Sequence, residues 1–429
     1  MLQSETIRKY DTYKDSGIEW IGEIPQDWGL TRLKQHYQFE KGKDAALYTN
    51  EYIGFNEGDY PVYSGQTENN GIMGKVNNYD YDEPICVFTT TVGAKVMSPK
   101  ILSGKFCLSQ NCLIMKKFGT IDERFLYYQL LPLFDYEKSL IPSYMQPSLR
   151  ILDLKRYVII SCDEQQQIAE YLDKKCGEID KVVETEKSVI EKLKEYKQSI
   201  ITEAVTKGLD KSVPLKDSGI EWIGKIPQHW EIIKLKKTIS LIADIDHYMP
   251  DTTDTGYSYL MTGDLKDIAS KIDFENCKHI SDSDYKDLSK KIHPVLDDVI
   301  FARYATIGTV CYVDIQKDFL VSYSCLTIRP NSEKLFGKFL YYYLISDTFK
   351  IEVSQYINSN TQSNVGLDSL QKVYMVLPNK TEQQQIAEYL DKKCSEIDKA
   401  IADKEQIIEK FTEYKKSLIY ECVTGKKRV

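Results

Sequence analysis

Two stretches of the chain carry apolar residues at alternating spacings of three and four, which predicts two long amphipathic helices. The first runs from Glu164 to about Thr206, and its apolar stripe includes Ile168, Leu172, Ile179, Val189, Leu193 and Ile200. The second lies near the C-terminus, and its stripe includes Ile386, Leu390, Ile397, Ile407, Phe411 and Leu418. Because one helix cannot bury a narrow stripe alone, we predict that the two pack against each other as an antiparallel coiled coil. The alternative, two separate helices that each pack on their own domain, stays open.

Both helices belong to a long internal repeat. The segment KDSGIEWIGEIPQDW (Lys14 to Trp28) returns as KDSGIEWIGKIPQHW (Lys216 to Trp230), and EQQQIAEYLDKKC opens each helix. Between these blocks lie two unlike inserts, each of domain size. We therefore predict an α+β protein with two mixed α/β domains, two long helices and pseudo-twofold, circular repeat symmetry. The predicted boundaries are 1–163 (first domain), 164–210 (first helix), 211–381 (second domain) and 382–429 (second helix).

Runs of β-branched and apolar residues predict the same order of elements in both inserts. In the first insert we expect strands at Pro84 to Met97 and Phe106 to Lys117, followed by a helix from Glu123 to Pro132. In the second insert the corresponding segments are Asp297 to Val313, Phe319 to Pro330 and Gly337 to Ser346. The inserts should therefore share a fold and differ in the side chains that meet a ligand.

Composition and charge restrict the class of protein. The 429 residues are 42% hydrophobic and 28% charged, with a net charge of −8, which argues against nonspecific coating of nucleic acid but permits a basic cleft. The ten cysteines form no CxxC pair, so we expect reduced thiols. The chain begins without a secretion signal and has no apolar run of membrane length, so we expect a cytoplasmic protein without membrane contact.

Motifs for catalysis are missing from the sequence. It contains no G-x-x-x-x-G-K-[ST] phosphate loop, no N-P-P-aromatic tetrapeptide and no G-x-S-x-G elbow. The five histidines have no metal-ligand spacing. We therefore predict neither catalytic residues nor a metal site, and binding is the function that remains.

Ordered motifs along nearly the whole chain resemble those of the specificity (S) subunit of type I restriction-modification systems. Each half opens with an I-P-x-x-W segment, and E-Q-x-x-I-A-x-x-L-D begins each long helix. The second insert resembles the family's D-x-x-x-x-R-x-G-A-T-I-G-x-V strand at Asp298, Arg303, Thr306 and Gly308. The first insert departs from that pattern, because it has threonines at Thr89 to Thr91 and no arginine.

The resemblance implies a non-catalytic DNA-binding subunit. Each target-recognition domain would read one half of a bipartite, asymmetric site in double-stranded DNA. The helices would act as a spacer and dock two methyltransferase (M) subunits, and endonuclease/translocase (R) subunits would join them. This chain would bind no cofactor itself, since S-adenosylmethionine, ATP and Mg are expected in the partner subunits.

Side chains with paired donors and acceptors on loops and strand ends are the candidate DNA contacts. In the first insert they are Lys41, Tyr63, Ser64, Gln66, Thr67, Thr89, Thr90, Thr91, Lys95, Ser109, Gln110, Asn111, Tyr144, Gln146, Ser148 and Arg150. In the second insert they are Thr262, Asp264, Arg303, Tyr304, Thr306, Ser322, Ser324, Asn360, Thr361, Gln362 and Asn364. Lysines would take phosphates, which positions the duplex without reading it. Polar loops are commonly just solvated, and alternate residues of a strand face the core.

A second class of function stays open. The acidic net charge favours a coiled-coil scaffold that binds two proteins and no DNA. A positive concavity on each insert would favour the DNA-binding interpretation instead.

Overall fold

The computed structural model describes residues 9–66, 69–93, 96–304, 306–358 and 364–429. The chain forms two compact units: unit 1 comprises residues 1–187 and 405–429, and unit 2 comprises residues 188–404. Each long helix therefore contributes one half to each unit. The domain boundaries predicted from the repeat remain a prediction.

Unit 1 contains a six-stranded sheet with helices. Its elements in chain order are β1 (Tyr13–Asp15), β2 (Glu23–Pro25), β3 (Gly29–Arg32), β4 (Tyr37–Lys41), α1 (Asn50–Phe55), β5 (Glu57–Tyr63), β6 (Ile72–Val76), β7 (Tyr81–Thr90), β8 (Lys100–Leu108), β9 (Cys112–Lys117), α2 (Glu123–Ser139), α3 (Ile151–Arg156), β10 (Val158–Ser161) and the first half of α4 (Gln165–Lys207).

The sheet of unit 1 has the order β4-β9-β7-β8-β5-β6. Its strands are antiparallel except that β5 runs parallel to β8, with Val62 opposite Cys107. Helix α2 begins at the Asp122 cap, whose carboxylate accepts hydrogen bonds from the amides of Arg124 and Phe125. Its buried face joins the core of the unit together with β7, β9 and β10.

Unit 2 follows the same plan with shorter strands. Its elements are the second half of α4, β11 (Leu215–Asp217), β12 (Lys225–Pro227), β13 (Glu231–Lys234), β14 (Ile239–Ala243), β15 (Tyr257–Leu260), β16 (Lys278–Ile280), α5 (Asp282–Leu288), β17 (Val299–Ala302), β18 (Val310–Tyr312), β19 (Phe319–Val321), β20 (Cys325–Pro330), α6 (Gly337–Ile345), α7 (Asp347–Ser354), β21 (Ile357–Asn358), β22 (Asn364–Val365), α8 (Leu367–Lys372), β23 (Tyr374–Leu377) and the first half of α9 (Lys380–Val423), whose second half completes unit 1.

The strand order of unit 2 repeats that of unit 1. One sheet has the order β14-β20-β17-β18, and a second has the order β16-β15-β19, in which β15 runs parallel to β19. The single long strand β8 of unit 1 thus corresponds to the two short strands β18 and β19. The two inserts have the mixed α/β architecture that the repeat predicts.

The repeated segment before each insert forms a small hairpin. In unit 1, β1 pairs with β2, and in unit 2, β11 pairs with β12 in the same register. The turn of each hairpin is closed by an aspartate, since the Gly17 amide donates to Asp15 and the Gly219 amide donates to Asp217, both at 2.9 Å. The tryptophans that follow, Trp28 and Trp230, are buried in the core of their units.

In each unit, halves of the two long helices pack side by side and antiparallel. In unit 1, Asp180 pairs with Lys415 at 2.7 Å, and the Lys427 ammonium lies 5.4 Å from the ring centroid of Tyr171. As residue numbers rise along α9 they therefore fall along α4. In unit 2 the equivalent pair is Asp398 with Lys197, also at 2.7 Å.

The predicted stripe residues lie mostly in the cores of the units. In unit 1 the core contains Ile168, Leu172, Ile179 and Leu418, with Phe411 packed at its edge. In unit 2 the core contains Ile200, Ile386, Leu390 and Ile397, with Leu193 at its edge. Near the middle of the helices, Val189 and Ile407 are half-buried. These cores also contain residues of the sheets and short helices, so each helix half packs on its unit as well as on the other helix.

Several predicted element bounds are wrong. The segment Phe106 to Lys117 is two strands with a turn at Ser109 to Asn111, where Asn111 has a φ of 65°. Likewise, Asp297 to Val313 and Phe319 to Pro330 each contain two strands. The strand that begins near Pro84 ends at Thr90, and α2 continues past Pro132 to Ser139 because Leu133 and Phe134 are buried beyond the proline.

Among the described residues, no helix combines the length and the apolar character that crossing a membrane requires.

Candidate functional site

Three predicted segments of unit 1 meet at one place. The Ser109 amide donates to the Tyr63 carbonyl at 2.9 Å, and the Thr91 amide donates to the Asn111 carbonyl at 2.8 Å. A third segment joins them, because the Leu149 amide donates to the Thr91 carbonyl at 2.8 Å and Val92 forms a β-bridge with Ser148. We call this set junction 1, and it comprises Tyr63–Gln66, Thr89–Val92, Ser109–Asn111 and Ser148.

Unit 2 repeats the same backbone hydrogen bonds. The Ser322 amide donates to Leu260 at 2.8 Å, the Arg303 amide to Ser324 at 3.0 Å, and the Val365 amide to Arg303 at 3.1 Å. A β-bridge again follows, here between Tyr304 and Asn364. We call this set junction 2, and it comprises Leu260–Asp264, Arg303–Tyr304, Ser322–Ser324 and Asn364.

The matching hydrogen bonds make the two junctions equivalent position by position, whereas their side chains differ. In the order junction 1 to junction 2, the unlike pairs are Thr91 and Arg303, Val92 and Tyr304, Gln110 and Tyr323, Asn111 and Ser324, and Ser148 and Asn364. One backbone frame therefore presents two different sets of donors, acceptors and rings.

Burial divides the predicted contacts of junction 1. Gln66, Gln110, Asn111 and Ser148 are exposed, and Tyr63 and Ser64 are half-buried. Four further candidates are buried, namely Thr89, Thr90, Thr91 and Ser109. Within the described residues, the hydroxyl of Thr89 finds no hydrogen-bond partner. These four side chains do not face solvent, so we leave them out of the contact surface proposed below.

Four other predicted contacts of unit 1 are described by the structure and lie outside junction 1 as defined here. Tyr144 is 86% exposed, and Gln146 is exposed on the same loop, which leads to Ser148. Lys41 is exposed at the end of β4. Arg150 is held at the start of α3 by two hydrogen bonds to Asp153, at 3.0 and 2.9 Å, and these bonds lower the pKa of the Asp153 carboxyl.

The predicted contacts of unit 2 are also unequal. Ser322 is buried, whereas Thr262, Asp264, Tyr304, Ser324 and Asn364 are half-buried and Thr306 is exposed. The Asp264 carboxylate accepts a hydrogen bond from the Met261 amide at 2.7 Å, so it closes a turn. Thr306 lies in the turn between β17 and β18, where its carbonyl accepts from the Thr309 amide at 3.1 Å.

Arg303 is the buried charged residue among the candidates, with only 7% of its surface exposed. Its Nη2 donates to Asp244 Oδ2 at 2.5 Å and lies 3.1 Å from His247 Nε2. Lys291 also donates to Asp244, at 3.0 Å. Burial raises the pKa of the Asp244 carboxyl, but the hydrogen bond from Lys291 and the charge of Arg303 outweigh it, so the pKa lies below its ordinary value.

The sequence analysis missed the segment that follows the first strand of each sheet. In unit 2 this segment supplies Asp244 and His247 to junction 2. In unit 1 the corresponding segment, Ala45 to Thr49, lines a cavity of about 280 Å³ together with Ser64–Gln66 and Ser109–Gln110. Only unit 2 gives a sequence signal for this segment, because several polar and aromatic residues directly follow an apolar strand there, namely Asp244, Asp246, His247 and Tyr248.

Some predicted contacts cannot be placed. Thr67, Lys95, Asn360, Thr361 and Gln362 lie outside the described residues. Within the part of the chain that the structure describes, no group of three or more His, Cys, Asp or Glu side chains is arranged to hold a metal ion.

Comparisons with known proteins agree on one family. The family model described as "Type I restriction modification DNA specificity domain" matches residues 25–195 and 228–410. The MjaVIII type I restriction enzyme specificity subunit of Methanocaldococcus jannaschii is 25% identical over 419 residues, covering 95% of this chain and 94% of that protein. The putative MjaX specificity subunit of the same organism is 25% identical over 433 residues, covering 95% and 96%. A chain from a solved type I restriction-modification system matches the fold with a TM-score of 0.67 at 13% identity, covering 93% of this chain and 98% of that one.

Proposed function

Because the chain belongs to the family of type I restriction-modification DNA specificity domains and is thus a specificity subunit with a role in DNA recognition, we propose that each unit reads one half of a bipartite, asymmetric DNA site. Unit 1 would read one half through junction 1, and unit 2 would read the other through junction 2.

The observation that carries this proposal is the equivalence of the two junctions. The same three backbone hydrogen bonds hold both, while the side chains at equivalent positions differ in hydrogen-bonding groups and in size. Base edges are distinguished by patterns of donors, acceptors and methyl groups. A repeated frame with unlike side chains is therefore suited to read two unlike half-sites.

The proposed contact surface consists of the exposed and half-buried polar side chains at each junction. In unit 1 they are Tyr63, Ser64, Gln66, Gln110, Asn111, Tyr144, Gln146 and Ser148, with Lys41 for phosphate. In unit 2 they are Thr262, Tyr304, Thr306, Ser324 and Asn364. Thr67, Lys95, Asn360, Thr361 and Gln362 stay proposed contacts on sequence grounds alone.

We further propose that the chain acts together with catalytic partners. The exposed faces of the long helices would dock two methyltransferase subunits, which use S-adenosylmethionine to methylate adenine. Endonuclease/translocase subunits that use ATP and Mg would complete the restriction enzyme. This chain would select the site without taking part in the chemistry.

The test is to map methylated adenines in the genome of a host that carries the methyltransferase partner, with and without this chain. We expect a split motif that appears only with the chain. A Gln110→Ala variant should relax base selection in one half of that motif, because Gln110 is exposed at junction 1.

A matched control is Lys138→Ala, which removes an exposed side chain of α2 that pairs with Asp135 on the same helix. It should leave both halves of the motif unchanged. A continuous motif, or a Gln110 variant that alters both halves equally, would contradict the assignment of one half to each unit.

A further inference from the structure

Junction 2 carries a pair of stacked rings, one exposed and one half-buried, where junction 1 has no ring pair at the equivalent positions. His247 stacks on Tyr323, with ring centroids 4.9 Å apart and planes inclined by 24°. The side chain of His247 is 57% exposed. Junction 1 has Gln110 in place of Tyr323, and alanines in the segment where His247 would lie.

The buried Arg303 determines which nitrogen of His247 carries the proton. An arginine guanidinium has only donors, and Nη2 has two hydrogens for two neighbours, Asp244 Oδ2 at 2.5 Å and His247 Nε2 at 3.1 Å. Asp244 lies farther from Nε2, at 3.3 Å, than Arg303 does. The shorter of the two contacts, that from Arg303, favours Nε2 as an acceptor, and this places the proton of the neutral ring on Nδ1.

The opposite nitrogen is thereby left as a donor. Among the described residues, the hydrogen bonds of His247 are made at Nε2 and none at Nδ1. Tyr323 packs on one face of the ring, and Arg303 donates to its Nε2. The ring is therefore fixed in orientation before any ligand arrives, which reduces the entropy cost of binding.

We propose that His247 is a base-reading residue of unit 2, which donates the Nδ1–H to an acceptor atom on a base edge in the major groove. This inference rests on the proposed DNA-reading function. Arg303 would be a positioning residue: it touches no base and acts by fixing the tautomer and orientation of His247.

The chemistry of the donor limits the bases it can select. Purine N7, guanine O6 and thymine O4 accept hydrogen bonds in the major groove, whereas cytosine presents only its amino donor there. The base that contacts His247 should therefore be any base except cytosine. A mismatch would leave the Nδ1–H without an acceptor in a desolvated interface.

The experiment uses the full chain assembled with its methyltransferase partner and a pool of DNA duplexes randomised in both half-sites. Four proteins are compared by sequencing the selected duplexes: wild type, His247→Ala, His247→Gln and Arg303→Lys. We expect His247→Ala to weaken the discrimination against cytosine at one position of one half-site by about tenfold. His247→Gln keeps a side-chain donor and should retain most of that discrimination.

Arg303→Lys separates positioning from simple support of the fold. Lysine keeps a charge beside Asp244 but loses the planar guanidinium, whose Nε donates to the Tyr323 carbonyl at 3.4 Å while Nη2 contacts Asp244 and His247. Discrimination against cytosine should weaken at the same position as in His247→Ala, which loss of stability alone would not produce. The other half-site serves as an internal control and should be selected equally by all four proteins.

Two results would overturn the inference while leaving the proposed function intact. One is a His247→Ala variant that selects the same bases as wild type at every position. The other is loss of selection in one half-site with His247→Ala that His247→Gln does not restore. If wild type selected no sequence in either half-site, the proposed function itself would fail, and this inference with it.

Discussion

Single residues acquire their roles here from partners that are distant in the chain. The motif residue Arg303 meets Asp244, which lies 59 positions earlier and comes from a different strand end. No local pattern around Arg303 indicates that its guanidinium is buried. Sequence reasoning named Arg303 as a candidate DNA contact, and could not foresee that Asp244 and His247 lie at its guanidinium.

Asp244 should make stability depend on acid pH. Its pKa is lowered in the folded state, so it stabilises the fold above the ordinary carboxyl pKa of about 3.9, and this contribution is lost as the pH falls through the folded-state value. In urea unfolding between pH 5 and 3, the difference in free energy of unfolding between wild type and Asp244→Asn should shrink as the pH falls. Asp246→Asn, which changes a neighbouring exposed carboxyl, should follow wild type throughout.

The buried Asp298 should matter far more than an exposed ion pair. Its carboxylate accepts three hydrogen bonds from Arg329, at 3.0, 3.3 and 2.8 Å, and one from the Val295 amide at 2.9 Å. Asp298→Asn should lower the free energy of unfolding by about 2–3 kcal/mol, because Arg329 loses its countercharge. Asp287→Asn, which breaks the exposed pair with Lys290, should leave the free energy of unfolding nearly unchanged, because solvent screens that pair. Equal effects in chemical denaturation would contradict this account.

At the scale of elements, hydrophobic periodicity predicted which helices and strands form better than it predicted where each of them ends. The long helices run from Gln165 to Lys207 and from Lys380 to Val423, close to the predicted bounds. The strand predictions were wrong at the turns, because nothing in the apolar run around Ser109 to Asn111 indicates that the chain reverses direction there. The three-four spacing also predicts Tyr196 and Tyr414 in the two apolar stripes, yet both are exposed, because a 3.6-residue turn drifts from a regular three-four spacing.

Glycines at the helix ends provide a graded test of backbone geometry. Gly208 and Gly425 end the two long helices at the same φ of 73°, which disfavours any side chain. A Cβ on Gly425 would lie 2.3 Å from Pro25, whereas one on Gly208 would lie 3.1 Å from Trp230. We expect Gly208→Ala to destabilise by about 1 kcal/mol and Gly425→Ala by more than about 2 kcal/mol.

Gly177 is the matched control, since it lies inside α4 with open space around its Cα. Gly177→Ala should stabilise the protein by up to about 1 kcal/mol, because alanine is the better helix former. In thermal unfolding, the midpoint should be highest for Gly177→Ala, lower for Gly208→Ala and lowest for Gly425→Ala. Destabilisation by Gly177→Ala, or a milder effect at Gly425 than at Gly208, would show that the helix ends are packed differently.

At the scale of the whole molecule, the repeat predicted the duplicated architecture correctly, because identical scaffold blocks must form equivalent contacts. Asp180 with Lys415 and Asp398 with Lys197 are such a pair. The side chains that form the two junctions could be predicted from the sequence only in part. Their side chains differ between the inserts, so one copy carries no information about the other.

Cysteine reactivity should report on the integrity of the whole chain. None of the ten cysteines forms a disulfide, and all are buried except Cys277, which is half-buried. Burial raises the pKa of several thiols, for example that of Cys86 to about 12 and that of Cys176 to about 11. Brief alkylation of the native protein at neutral pH should therefore modify Cys277 alone, as measured by intact mass.

The control for this measurement is Cys277→Ser, which should remain unmodified under the same conditions, while all thiols react in denaturant. Rapid native labelling of Cys176 or Cys422 would mean that the helix halves of unit 1 separate in solution.

The division of the long helices between the units has a consequence for folding during synthesis on the ribosome. Unit 2 is one continuous stretch, residues 188–404, and can close its core once that stretch has emerged. Unit 1 was begun earlier, yet its core includes Leu418, Ile419, Cys422 and Val423. The first part of unit 1 therefore stays without these core residues until the end of the chain has been synthesised. Unit 2 is translated later than that part, yet its core is completed first.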